Sequence, residues 1–169
     1  MTSGSGRETA APDPVGFGKH DHRGCIRAAL AAAESHCEAE GLRFTPVRRA
    51  ALEILLQEHR ALGAYEMLDR LKEAGYGSQP PVAYRALDFL TANGFAHKIE
   101  RLNAFIACAH PGEEHAPAFM ICRACQSVAE AQSARSALGE AARATGFTIE
   151  GTLIEAVGLC PACAGKAAS

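Results

Sequence analysis

The chain has 169 residues, 48% of them apolar, with no tryptophan and a formal charge of −2. That is enough apolar material for one domain or two small ones, and the charge excludes a general polyanion binder, because Lys and Arg do not outnumber Asp and Glu. No apolar run approaches a membrane span and the first residues lack the apolar stretch of a secretory signal, so the expected compartment is the cytoplasm, where the seven cysteines read as metal ligands or free thiols before disulfides.

Residues 1–22 are rich in Gly, Ser, Pro and charge and show no periodicity, so they read as a disordered tail. His20 and His22 form an H-x-H pair that a metal can use, against the plainer reading of a solvated tail. Residues 23–40 carry Ile26, Ala29, Leu30, Ala33 and Cys37 at helical spacing, with Gly41 as a stop. Cys25 and Cys37 read there as small packing residues.

Thr45 is a good N-cap and Pro46 suits the first helical position. Arg48 stands where a capping box needs Glu or Gln, so that box is absent. Val47, Ala50, Ala51, Ile54 and Leu55 form an apolar stripe, which leaves Arg48 and Arg49 on other faces where they can meet phosphate or simply be solvated. A third helix over 64–74 repeats the stripe with Ala64, Met67, Leu68 and Leu71, and Tyr65 joins the DNA-facing candidates. The turn GYGSQPP follows, and its prolines bar continuation of that helix.

The fourth helix is expected over 82–93, ended by Gly94. Ala83, Ala86, Leu87 and Leu90 share one face; Tyr84, Arg85 and Asp88 share another. Helices three and four then make a helix-turn-helix, in which Arg85 can read a guanine and Tyr84 can touch a phosphate or a thymine methyl. An ordinary helix pair with polar residues outward is the competing reading.

Residues 95–100 and 104–108 read as strands joined by a turn at Arg101, Leu102 and Asn103, which makes a wing. Lys98 and Arg101 on it can reach the DNA backbone. His97 stands at its start and Cys108 at its end.

The remainder reads as a small α/β unit. A strand over 118–121 enters the pair Cys122 and Cys125, and a short strand over 127–130 leaves it. A helix over 133–145 places Ala134, Ala137, Leu138 and Ala141 on one face. A long strand over 147–157 leads through Gly158 to the pair Cys160 and Cys163. Two C-x-x-C pairs in one chain are a strong zinc signal, since four thiolates close a tetrahedron at about 2.3 Å per bond. A redox C-x-x-C gives no reason for the second pair. Cys108, His110, His115 and Glu130 offer another donor set, and spacing alone does not choose His115 over His110, nor Glu130 over Glu113 or Glu114.

The phrases PPVAYRALDFLTANGFAHKIE, FMICRACQSVAE and IEAVGLCPAC, in this order and with these gaps, resemble the zinc uptake regulator branch of the ferric uptake regulator family over about residues 23–164. The resemblance implies an α+β fold: a winged helix-turn-helix over 23–101, then an α/β dimerisation domain over 102–169 with a structural zinc at Cys122, Cys125, Cys160 and Cys163. It implies a regulatory zinc at His97, Cys108, His115 and Glu130, with His110 a candidate for a third metal. It implies a homodimeric, zinc-activated repressor bound to a palindromic operator. AHPGEEHAPAF replaces the dense His-rich run of the iron and peroxide branches, and Val82 and Ala83 stand where the family often has Thr-Val. An iron or peroxide sensor of the same fold, a zinc-ribbon enzyme and a zinc-stapled interaction module are the alternatives. No H-E-x-x-H, G-x-S-x-G or P-loop supports an enzyme.

Overall fold

The computed structural model describes residues 22–58, 60–109, 111–112, 116–131 and 135–167. Of the tail expected over 1–22, residues 1–21 lie outside them, and His22 instead begins the first helix.

Helix α1 (His22–Ala39) buries Leu30, Ala33 and Cys37 and ends where Gly41 takes φ +65. Cys25 is exposed, contrary to expectation, because it is out of step with that stripe. Helix α2 (Pro46–Gln57) starts as its residues dictate: the Thr45 hydroxyl accepts from the Arg48 N–H at 3.4 Å. Helix α3 (Ala64–Glu73) buries Met67, Leu68 and Leu71. Helix α4 (Pro80–Ala92) buries Ala83, Ala86, Leu87 and Leu90. It begins earlier than the sequence suggests, because Pro80 and Pro81 occupy its first two positions, where no intrahelical carbonyl needs their missing N–H. Phe95 and Phe105 close this first core, and Phe44, Phe89 and Phe95 cluster at its edge.

Strands β1 (Ala96–Ile99) and β2 (Ala104–Ala107) pair antiparallel, with His97 opposite Ile106. A single 3-10 turn (Glu100–Leu102) joins them, and Asn103 follows at φ +46, a conformation asparagine tolerates. A second sheet has the order β4 (Val128–Ala131), β3 (Ala118–Cys122), β5 (Ile154–Gly158), antiparallel then parallel. Helix α5 (Arg135–Thr145) makes the crossover, and a short helix α6 (Pro161–Ala167), not expected from the sequence, closes the described chain.

A second core joins wing to sheet. Ala61, Ile99, Ala104 and Ile106 pack on Phe119, Ile121 and Val128. Backbone bridges Leu62–Phe105 and Arg60–Ser127 tie the α2–α3 connection to both partners.

Two expectations fail in the C-terminal unit. The long strand over 147–157 shrinks to Ile154–Gly158, because its partner β3 begins at Ala118, opposite Ile154, and among the described residues no strand pairs with the stretch before it. In α5, Ala141 is exposed and Ala142 buried, while Leu138 is half exposed, so the inward face is rotated from the expected one. Ala134 and the side chain of Ala137 lie outside the described residues.

Leu87 is fully enclosed between the helices. Leu87→Ala is expected to lower unfolding stability by about 2–5 kcal/mol in denaturant titration with zinc in excess; a smaller loss means the helical core collapses around the void.

Candidate metal centres and DNA-facing surface

Cys122 ends β3 and pairs with Gly158 at the end of β5. Because the two strands are parallel neighbours, the connections that follow leave the same end of the sheet, and both cysteine pairs converge. The first is a tight turn: Gln126 N–H donates to the Cys122 carbonyl at 2.9 Å, Cys122 N–H donates to Ser127 at 2.9 Å, and Gln126 takes φ +61. The second opens α6, with Cys163 N–H on the Cys160 carbonyl at 3.0 Å. All four sulfurs lie within 4.8 Å of one another, and Cys125 Sγ is 3.7 Å from Cys160 Sγ. A tetrahedron with bonds of about 2.3 Å has edges of about 3.8 Å, so the cage fits zinc.

Its electrostatics favour deprotonation at one end. Backbone N–H groups of Cys160 and Cys125 directed at Cys122 bring its thiol down to about 6. The Ser127 hydroxyl, 3.0 Å from Cys125 Sγ, lowers the Cys125 thiol. Cys163 is pushed up to about 12, first by its hydrogen bond with the Cys160 thiol and then by Cys125. A metal entering this cage displaces that shared proton.

The second cluster straddles wing and sheet. His97 projects from β1, Cys108 follows β2 with its N–H on the Phe95 carbonyl at 2.9 Å, and Glu130 projects from β4. Their donor atoms also lie within 4.8 Å of one another. Glu130, 5% exposed, is the one charged side chain fully buried among the described residues. Its Oε2 accepts the Ala109 N–H at 2.9 Å, and its Oε1 is 3.4 Å from His97 Nε2. That separation matches the edge of about 3.4 Å expected for zinc bound at about 2.0–2.1 Å by nitrogen and oxygen. Imidazole, thiolate and carboxylate together suit Zn²⁺, and the thiolate disfavours Fe²⁺ and Mn²⁺. His115, His110, Glu113, Glu114 and His20 lie outside the described residues, as does the side chain of His22.

On helices α3 and α4, Tyr65 and Tyr84 are 66% and 44% exposed and meet edge to face at 6.5 Å between ring centres. Arg85 is exposed beside them and lines a shallow cleft with Thr45, Val47, Arg48, Val82 and Ala86. Arg101 on the wing is exposed, whereas Arg48, Arg49 and Lys98 are engaged within the protein. Arg48 lies 3.8 Å from the Phe89 ring centre and donates to the Arg43 carbonyl. Arg49 pairs with Glu34 at 2.8 Å and Glu53 at 3.5 Å, and Lys98 pairs with Glu100 at 3.0 Å. Such exposed ion pairs are worth about 0–1 kcal/mol, so a phosphate can replace them.

No family model matches the chain. The zinc uptake regulation protein of Escherichia coli strain K12 is 39% identical over 138 residues, which span 79% of this chain and 80% of that protein. The chain belongs to the family of zinc uptake regulation proteins. Two solved zinc uptake regulators agree in fold. One, complexed with zinc and DNA, is 36% identical with a TM-score of 0.80, covering 85% of this chain and 98% of its own. The other, holo XcZur, is 42% identical with a TM-score of 0.73, covering 82% and 98%.

Sequence reasoning missed Ser127 beside Cys125, the Ala109 amide on Glu130, and Glu155, whose carboxylate reaches the wing. None carries a motif; each contact exists only once the strands are in register. Metal analysis is expected to find about two zinc ions per chain, one stripped readily by chelator. Cys108→Ser should lose the labile ion alone, whereas Cys122→Ser should lose the tight one together with folded protein. A stable, fully folded Cys122→Ser protein would overturn the structural role of the four-thiol cage.

Proposed function

We propose that this protein is a zinc-responsive transcriptional repressor of zinc uptake genes, activated for operator binding by Zn²⁺ at the junction of wing and sheet. The observation that carries the reading is the convergence of His97, Cys108 and Glu130 across that junction. Two donors belong to the wing and one to the sheet, so their shared affinity for an ion is affinity for one relative arrangement of the two parts. Bound there, zinc supplies coordinate bonds that hold wing and sheet together. His115, from the loop after Cys108, is proposed as the fourth donor. Cys122, Cys125, Cys160 and Cys163 hold the permanent zinc.

The boundary expected at 101 falls inside the wing, between β1 and β2, so in this reading β2 and Cys108 go with residues 23–101 in the DNA-binding domain and the chain beyond them forms the dimerisation domain. The apolar surface left by Leu138, Phe147, Leu153 and Val157, 45% to 69% exposed, is covered by a second copy. The dimer presents two α4 helices to successive major-groove half-sites of a palindromic operator. Arg85 reads a base, Tyr84 and Tyr65 flank it, and Arg48, Arg49 and Lys98 exchange their internal partners for phosphates. No helix among the described residues is long and apolar enough to cross a membrane. A regulator that works on operators works in the cytoplasm, and that is its proposed location.

The test is zinc-titrated binding to operator DNA from a zinc uptake gene, followed by fluorescence anisotropy. Wild-type protein should bind with zinc and release with chelator, and Fe²⁺ should not substitute. Cys108→Ser should remain a folded dimer without a zinc response, and zinc-responsive binding retained in that variant would reject the assignment. Arg85→Ala should weaken specific binding by about 1–3 kcal/mol while leaving nonspecific binding near its original level.

A further inference from the structure

Across the second sheet, Glu130, Phe119 and Glu155 stand directly opposite one another on β4, β3 and β5. Side chains opposite one another in a sheet point to the same face. That face is the one on which the wing sits, since Phe119 packs there against Ile99, Ala104 and Ile106. Glu130 meets the wing where β1 begins, at His97. Glu155 meets it at the other end. Its Oε1 accepts the N–H of Glu100 at 2.8 Å and its Oε2 accepts the N–H of Arg101 at 3.2 Å. These amides open the 3-10 turn at the wing tip and have no acceptor within it. The Glu100 side chain is turned to Lys98 at 3.0 Å, which neutralises the nearby like charge.

We propose that Glu155 is a positioning residue for DNA binding: a metal-free grip on the wing tip that holds the wing at the angle the sensor ligands require. The inference rests on the zinc-responsive reading above and deepens it. Zinc closes one end of the wing and the Glu155 carboxylate closes the other. Both act on the same equilibrium between seated and released wing, so the grip and the ion reinforce each other: losing Glu155 weakens both operator binding and zinc binding at the sensor site. A carboxylate bonded to two backbone N–H groups is a stronger acceptor pair than a neutral group at the same place.

The variants Glu155→Ala and Glu155→Gln are compared with wild type in the full-length zinc-loaded dimer. Glu155→Ala should bind operator about tenfold more weakly at saturating zinc, equivalent to about 1.4 kcal/mol. It should also need more zinc for half-maximal binding. Glu155→Gln keeps a single neutral acceptor and should fall between. Both should retain the four-thiol zinc and the dimer. Hydrogen exchange at the Glu100 and Arg101 amides should accelerate in the same order. Unchanged exchange at these amides overturns the grip, and faster exchange with wild-type operator affinity and zinc response overturns its positioning role. A wild-type protein with no zinc response at all would instead reject the underlying reading, while the exchange measurement would still decide whether the grip exists.

Discussion

The seating of the wing on β3 is the contact on which the rest of the molecule depends. Phe119 is 1% exposed, between Ile99 and Ile106 of the wing and Ile121 and Val128 of the sheet. Burying one such aromatic contributes about 1.5–3 kcal/mol. With the wing in place, His97 and Cys108 stand against Glu130, the α2–α3 connection bridges to Ser127, and Glu155 finds the wing-tip amides. With the wing away, the donors of the second cluster belong to separate surfaces and define no site.

That dependence separates the two cysteine-containing clusters physically. The four-thiol cage draws every ligand from one end of one sheet, and parallel pairing of β3 with β5 fixes the distance between its two turns. Its geometry therefore survives any movement of the helical part. The mixed cluster draws ligands from both sides of a packing interface. A small unit with three short strands and a largely exposed crossover helix gains much from a cage that closes a long loop. A single-ended cage stabilises the unit, and a two-ended one reports on its neighbour.

The legible parts of this chain were those set by local rules. The Thr45–Pro46 start of α2, the inward face of α4, the hairpin turn at Asn103 and the two C-x-x-C turns each follow from a few neighbouring residues. Resemblance to a family supplied what spacing could not, the choice of Glu130 over Glu113 or Glu114; the structure sets Glu130 beside His97 and Cys108, and His115 lies outside the described residues. What escaped the sequence was set by partners distant along the chain. The stretch before Ile154 has no strand beside it among the described residues, Cys25 falls off its stripe, and Arg48 finds an aromatic ring on α4. Glu155 reads as an ordinary polar residue of a strand until β3 brings it into line with Phe119.

A switch of this kind is limited from both sides. Moving a two-state equilibrium from 1:99 to 99:1 needs about 10⁴-fold preference for one state, more than the usual allosteric coupling of about 1–3 kcal/mol provides. Metal-free contacts that already favour the seated wing reduce what the ion has to supply. Yet if those contacts were strong enough alone, the protein would hold its DNA without zinc and sense nothing. A half-buried carboxylate on two backbone amides satisfies both limits, because solvent at its edge keeps the contact modest. The fully buried end of the same cross-strand row carries Glu130, one of the proposed zinc donors, where removal from water makes the presence or absence of an ion matter most. In the proposed scheme the gradient of burial from Glu155 to Glu130 thus matches a weak, permanent grip at one end of the wing and a strong, conditional one at the other.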